Sequence, residues 1–164
     1  QRPHAGTAVT GQWIDVEHMA KSGNRVQAEV RQGTGPPLVL LPGTWGNAQI
    51  RGRLVDKLDI DLTLVCVALA GQDGNWPPPS HPSIEQFSRD TLDLADELGL
   101  ARFFIAGNSL GGMIAIDMLR LCPERVFGAI PEKENIQLEW VSGASHNLLI
   151  EAPVRYCQKF YENE

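Results

Sequence analysis

Cysteine is scarce in this chain: Cys66, Cys122 and Cys157 are odd in number and far apart among 164 residues. Such spacing argues against a disulfide framework and predicts buried free thiols in a reducing compartment, the cytoplasm, with secretion as the alternative. None of the three has zinc-type spacing and the four histidines do not cluster, so neither a metal nor any other cofactor is expected. Positive charge is also short, with 14 Lys and Arg against 20 Asp and Glu, a net charge of −6 and no long basic block. Nucleic acid and anionic membrane are therefore poor partners. No apolar run approaches the roughly 20 residues of a membrane span. The opening QRPHAGTAVT has neither a signal peptide's apolar stretch nor an initiator Met, so a trimmed chain or an upstream start is expected. Internal repeats are absent as well.

What remains is a globular composition, 43% hydrophobic and 21% charged, at a length that suits one domain with a real core over residues 1–164. WIDVEHMAKSG and RVQAEVRQG alternate around Ser22-Gly23-Asn24 and predict a β-hairpin. LVLLPG, LTLVCVAL and RFFIAG are short apolar runs, the pattern of strands buried on both faces. Helices are predicted over NAQIRGRLVDKL, where Ile50, Leu54, Val55 and Leu58 share a face, and from Ser83 to Gly99, opened by a Ser83/Gln86 capping box. A proline-rich loop, AGQDGNWPPPSHPS, separates them from one another. Further along, Ser109–Leu121 reads as helix, RVFGAI and IQLEWVSG as strands, and the segment beyond Pro153 as a closing helix. Alternating strands and helices after a hairpin predict an α/β fold, a mainly parallel sheet with helices on both faces.

The stretch FIAGNSLGGMIA contains Gly107-Asn108-Ser109-Leu110-Gly111, a G-x-S-x-G pattern between a predicted strand and a predicted helix. A sharp strand-to-helix turn strains its central residue and crowds the neighbours, which glycine relieves because it has no Cβ. The Ser109 hydroxyl is then expected at the carboxyl edge of the sheet, over a helix N-terminus that favours developing negative charge.

On these residues the chain resembles the α/β-hydrolase superfamily, from the WIDVEH hairpin to the C-terminal helix. LLPGTWGN sits where that family has its His-Gly-x loop, with Pro42 in place of the usual His. The resemblance implies an oxyanion hole made by the backbone N–H groups of Thr44 and Leu110. LCPERV resembles the end of the family's nucleophile helix, and SGASH followed by EAP resembles the Gly-x-x-His end of its last strand. His146 is then the general base for Ser109. His4, His18 and His81 suit solvated or structural roles.

The resemblance also implies an acid between serine and histidine. Only 36 residues separate Ser109 from His146, and their carboxylates are Asp117, Glu124, Glu132, Glu134 and Glu139. Asp117 rides a helix leaving the site, Glu124 precedes a strand at the opposite edge, and Glu139 lies within a strand. Glu132 is the candidate acid, with Glu134 beside it in PEKEN, although exposed, solvated carboxylates are the simpler reading of both. If the strand ending near His146 is parallel to RVFGAI, its start lies about 17 Å away. Residues 131–135 span at most about 17 Å fully stretched and must also step sideways. A lid and acid-bearing segment is therefore expected to be missing near 130–136, either deleted or absent from the sequence as given, with an exchanged homodimer as one consequence of true deletion.

The function expected is that of a serine hydrolase acting on an ester, lactone or related carbonyl of a small-molecule substrate. GNSLGG is similar to the GNSMGG of carbon–carbon hydrolases, which alone assigns no substrate. Trp45 and Trp76 are candidates to line an apolar entrance. The alternatives are a ligand-binding or catalytically weak protein of the same fold, and an inactive splice form.

Overall fold

A computed structural model of the chain describes residues 12–44, 61–72, 74–107 and 109–126. The hairpin forms as its alternation predicts: β1 (Trp13–Met19) pairs antiparallel with β2 (Arg25–Arg31). The buried apolar runs become β3 (Pro37–Leu41), β4 (Thr63–Ala68) and β5 (Phe104–Gly107). Helix α1 (Ile84–Glu97) precedes β5 and helix α2 (Leu110–Leu121) follows it. The sheet order is β1-β2-β4-β3-β5, with β3 parallel to both β4 and β5 and β2 antiparallel to β4. Phe103 makes a parallel bridge to Val126, which brings the chain back beside β5 where the RVFGAI strand was predicted to begin. The helix predicted at 47–58, the strand at 136–143 and the closing helix lie outside the described residues, as does the segment 130–136.

The register separates two faces of the sheet. Val39, Val65, Val67 and Ile105 share one face, and they pack in a single cluster with Leu92, Leu94 and Ala95 of α1 and Ile114 and Met118 of α2. Leu38, Leu40, Leu64, Cys66, Phe104 and Ala106 point to the other face and are also buried. Both described helices lie on the first face. Cys66 is buried, as the reading of the cysteine spacing expected, whereas Cys122 is only half-buried; neither forms a disulfide, and Cys157 lies outside the described residues.

Helix α1 is delimited by its end groups. The Ser83 hydroxyl accepts from the Gln86 N–H at 3.1 Å, one half of the predicted capping box. The other half does not form, because the Gln86 amide turns to donate to Asp90 at 2.8 Å. At the far end Leu100 N–H donates to Ala95 and Gly99 N–H to Asp96, while Gly99 takes φ +69°, the left-handed closure that glycine supplies at no steric cost.

Asp90 is 1% exposed, yet it is well satisfied: Ser22 Oγ donates at 2.6 Å and Asn24 Nδ2 at 2.8 Å, besides Gln86. Asp93 accepts from the Lys21 backbone and pairs with its ammonium at 3.2 Å. Two carboxylates of α1 thus hold the hairpin turn against the helix. At the base of β4, Asp61 accepts from both the N–H and the hydroxyl of Thr34, in the connection between β2 and β3.

Those hydrogen bonds from Thr34 hold the Asp61 carboxyl below its usual pKa of about 3.9, with a smaller contribution from the Arg31 charge. A lowered folded pKa stabilises the protein above the unfolded value and ceases to do so as the pH falls through the folded one. Wild type is therefore expected to melt above Asp61→Asn near pH 6, with the gap in Tm closing below about pH 4; a gap that persists at acidic pH in thermal melts contradicts this coupling.

Candidate active site

Because β3, β4 and β5 are parallel, their carboxyl ends share one edge of the sheet. Loops at such an edge are where open α/β sheets collect their ligand-binding groups. The described residues there are Pro42–Thr44 after β3, the proline-rich loop after β4, and Ser109 after β5. Leu41 and Gly107 are register partners, so the loop bearing Thr44 and the corner bearing Ser109 leave the sheet side by side.

Ser109 has φ 54° and ψ −115° and is the one non-glycine residue with positive φ among the described residues. A β-carbon in this region costs about 1–3 kcal/mol, which the surroundings must impose. They do so through two glycines. A Cβ on Gly107 would lie 2.1 Å from the carbonyl oxygen of Gly111, and one on Gly111 would lie 2.4 Å from that of Leu41. Strand, loop and helix therefore meet backbone to backbone at this point.

The Ser109 side chain is exposed and makes no capping bond to the helix it precedes. Its carbonyl accepts from the N–H groups of Gly112 and Met113. Leu110 and Gly111 come before these and have no carbonyl inside the helix to bind. The positive end of α2 thus stands next to a hydroxyl that does not cap it, and backbone N–H groups at a helix start favour negative charge that develops beside them.

Of the residues singled out in the sequence, Ser109, Leu110, Thr44 and Trp76 lie among those described, all of them in connections or helix starts at this edge. Trp76 is 65% exposed in the proline-rich loop. Trp45, Glu132 and His146 lie outside the described residues. His18 stands in β1 with Nδ1 3.9 Å from a Glu97 carboxylate oxygen, a contact between hairpin and helix, and His81 is exposed. Asp117 faces Arg120 one turn on, at 2.9 Å. Among the described residues no three His, Cys, Asp or Glu side chains gather as a metal site would require. No described helix is long and apolar enough to cross a membrane.

The model of the alpha/beta hydrolase family matches residues 38–154, from the start of the parallel strands to beyond His146. The chain belongs to the alpha/beta hydrolase family. The fluoroacetate dehalogenase of a Burkholderia species is 34% identical to it over 85 residues, 49% of this chain and 28% of that protein. A solved alpha/beta hydrolase of Novosphingobium aromaticivorans superposes with a TM-score of 0.63 at 24% identity, covering 73% of this chain and 43% of that one. The naproxen esterase of Bacillus subtilis gives a TM-score of 0.62 at 21% identity, covering 73% and 42%. The two superpositions show a shared fold. The chain spans between 25% and 36% of the length of the curated relatives it matches first.

Two substitutions test the corner. Ser109→Gly is expected to raise stability by about 1 kcal/mol in denaturant unfolding, since glycine adopts positive φ freely. Gly111→Ala must push its methyl into the Leu41 carbonyl and is expected to cost about 3 kcal/mol or to prevent folding. An unchanged midpoint for either variant contradicts the strained, close-packed corner.

Proposed function

We propose that this protein is a serine hydrolase that cleaves an ester, lactone or related carbonyl compound. The observation that carries the proposal is Ser109: strained, exposed and uncapped, at the carboxyl edge of the sheet and at the start of a helix. No structural role of that serine requires this conformation, because glycine would fill it at lower cost.

In the proposed reaction the Ser109 Oγ attacks the substrate carbonyl carbon while His146 takes its proton. The carbonyl oxygen gains the negative charge and is held by the N–H groups of Thr44 and Leu110. Collapse of this intermediate breaks the bond to the leaving group, which departs with the proton from His146. Water then attacks the acyl-enzyme, giving its proton to His146, and Ser109 recovers that proton as the acid product leaves. Glu132 is the carboxylate assigned to orient His146 within the chain as given. The short linker around it is the reason to expect that a lid and acid-bearing segment is missing near 130–136. Trp45 and Trp76 are assigned to the apolar side of the substrate entrance. Membership of the alpha/beta hydrolase family supports hydrolysis in general, and the choice of a carbonyl ester rests on the hydroxyl nucleophile with its backbone donors.

The test is covalent labelling by a fluorophosphonate probe, read by mass spectrometry at Ser109. Labelling is expected in wild type, absent in Ser109→Ala, and slowed by about 100-fold or more in His146→Ala. Glu132→Gln is expected to slow it as well. A folded wild-type protein that stays unlabelled overturns the proposal, and labelling indifferent to His146→Ala removes the histidine from it.

A further inference from the structure

Gln72, in the loop after β4, is a residue that no catalytic motif in the sequence marks. Its Nε2 donates to the carbonyl of Gly43 at 3.1 Å and, more weakly, to that of Thr44 at 3.4 Å. The orientation of the amide follows from these contacts, since the reverse would set its oxygen against two others. Gln72 is itself held in a tight turn: its N–H donates to Leu69 and its carbonyl accepts from Asn75 N–H at 2.7 Å. Asn75 is fully buried and its Nδ2 donates to Arg25 at 2.7 Å and Ala68 at 3.2 Å, tying the turn to the ends of β2 and β4.

The carbonyl that Gln72 grips belongs to the same peptide group as the Thr44 N–H. That group is planar and trans, so its C=O and N–H point in opposite directions. Fixing one fixes the other. Across the same loop, Gly111 abuts the carbonyls of Leu41 and Pro42. The loop is thereby clamped on one side by the start of α2 and on the other by an amide from the β4 loop.

We infer that Gln72 is a positioning residue for the oxyanion hole, holding the Gly43–Thr44 peptide so that the Thr44 N–H stays turned away from Gln72 and ready to meet the oxyanion. This rests on the serine hydrolase reading of Ser109. Without the grip, the peptide is free to rotate about its flanking bonds, and a donor that must be organised before the reaction loses its direction. Gln72 touches no reacting atom; it acts through Thr44.

Two variants separate this role from simple packing. Gln72→Leu keeps much of the side chain's bulk but cannot donate. Gln72→Glu donates one hydrogen bond when protonated and faces two carbonyl oxygens with a negative charge when ionised. With the fluorophosphonate probe, Gln72→Leu is expected to label about 10- to 100-fold more slowly than wild type at every pH. Gln72→Glu is expected to approach wild type as the pH falls and to fall behind as it rises, each rate taken relative to wild type at the same pH. A parallel measurement, the backbone 15N order parameter of Thr44 in both variants at neutral pH, is expected to fall from the value of rigid backbone, about 0.85 in wild type, to below about 0.6. A Thr44 order parameter that does not change overturns the inference whether or not the serine is reactive, as does a Gln72→Glu rate ratio that is flat with pH in a protein that labels. An unlabelled wild type fails the hydrolase reading itself, and a lowered Thr44 order parameter then still shows that Gln72 holds the peptide.

Discussion

The approach of Gly111 to the carbonyls of Leu41 and Pro42 is the contact on which the carboxyl edge is built. A side chain at that position would separate α2 from β3 and pull the helix start away from the loop after β3. Gly107 imposes the same condition within the corner, against the backbone of Gly111 and Gly112. With both glycines in place, the chain must reverse direction over very few residues, and Ser109 absorbs the cost in its backbone. Local strain here is sustained by burial elsewhere, with Ile114 and Met118 of α2 fully enclosed against the sheet.

Around that corner the protein relies on polar groups at the rims more than in the centre. Ser88 and Thr91 are buried in α1, and their hydroxyls return hydrogen bonds to Ile84 and Phe87 one turn back. Asp90 and Asp93 seat the hairpin turn, Asn75 seats the loop after β4, and Gln72 extends from that loop to the one after β3. Each link joins elements distant in sequence. Together they fix where the loops stand relative to strands whose own positions are set by apolar packing.

Much of this was legible in the residues themselves. The hairpin, the buried strands and α1 follow from periodicity and end signals because those signals are local. The corner was legible for a different reason: a strand, a helix and two glycines flanking a serine leave few backbone solutions. The strand order was not legible from pattern alone, since apolar runs such as LVLLPG and LTLVCVAL say nothing about which lies between the others. The half-formed capping box shows the same limit, for Gln86 was drawn away by Asp90, whose role depends on a hairpin some 66 residues earlier. Gln72 escaped notice because its partners are main-chain carbonyls of another loop, and carbonyls leave no mark in a sequence. The histidine and carboxylate of the proposed triad belong to the part of the chain beyond Val126.

The outer margin of the described sheet is β1, which pairs on one side with β2. Asp15 and Glu17 stand exposed along it, with Glu29 and Gln27 as their neighbours on β2. Open backbone at a margin is a template on which a second molecule can add a strand. Here Glu17 is matched within the hairpin by Arg25 at 3.6 Å and by Gln27, so Asp15 is the carboxylate that an incoming copy of the same margin would meet with one of its own. A charge so placed disfavours edge-to-edge growth of the sheet, and it is supplied by a side chain that stands away from the carboxyl edge where Ser109 lies.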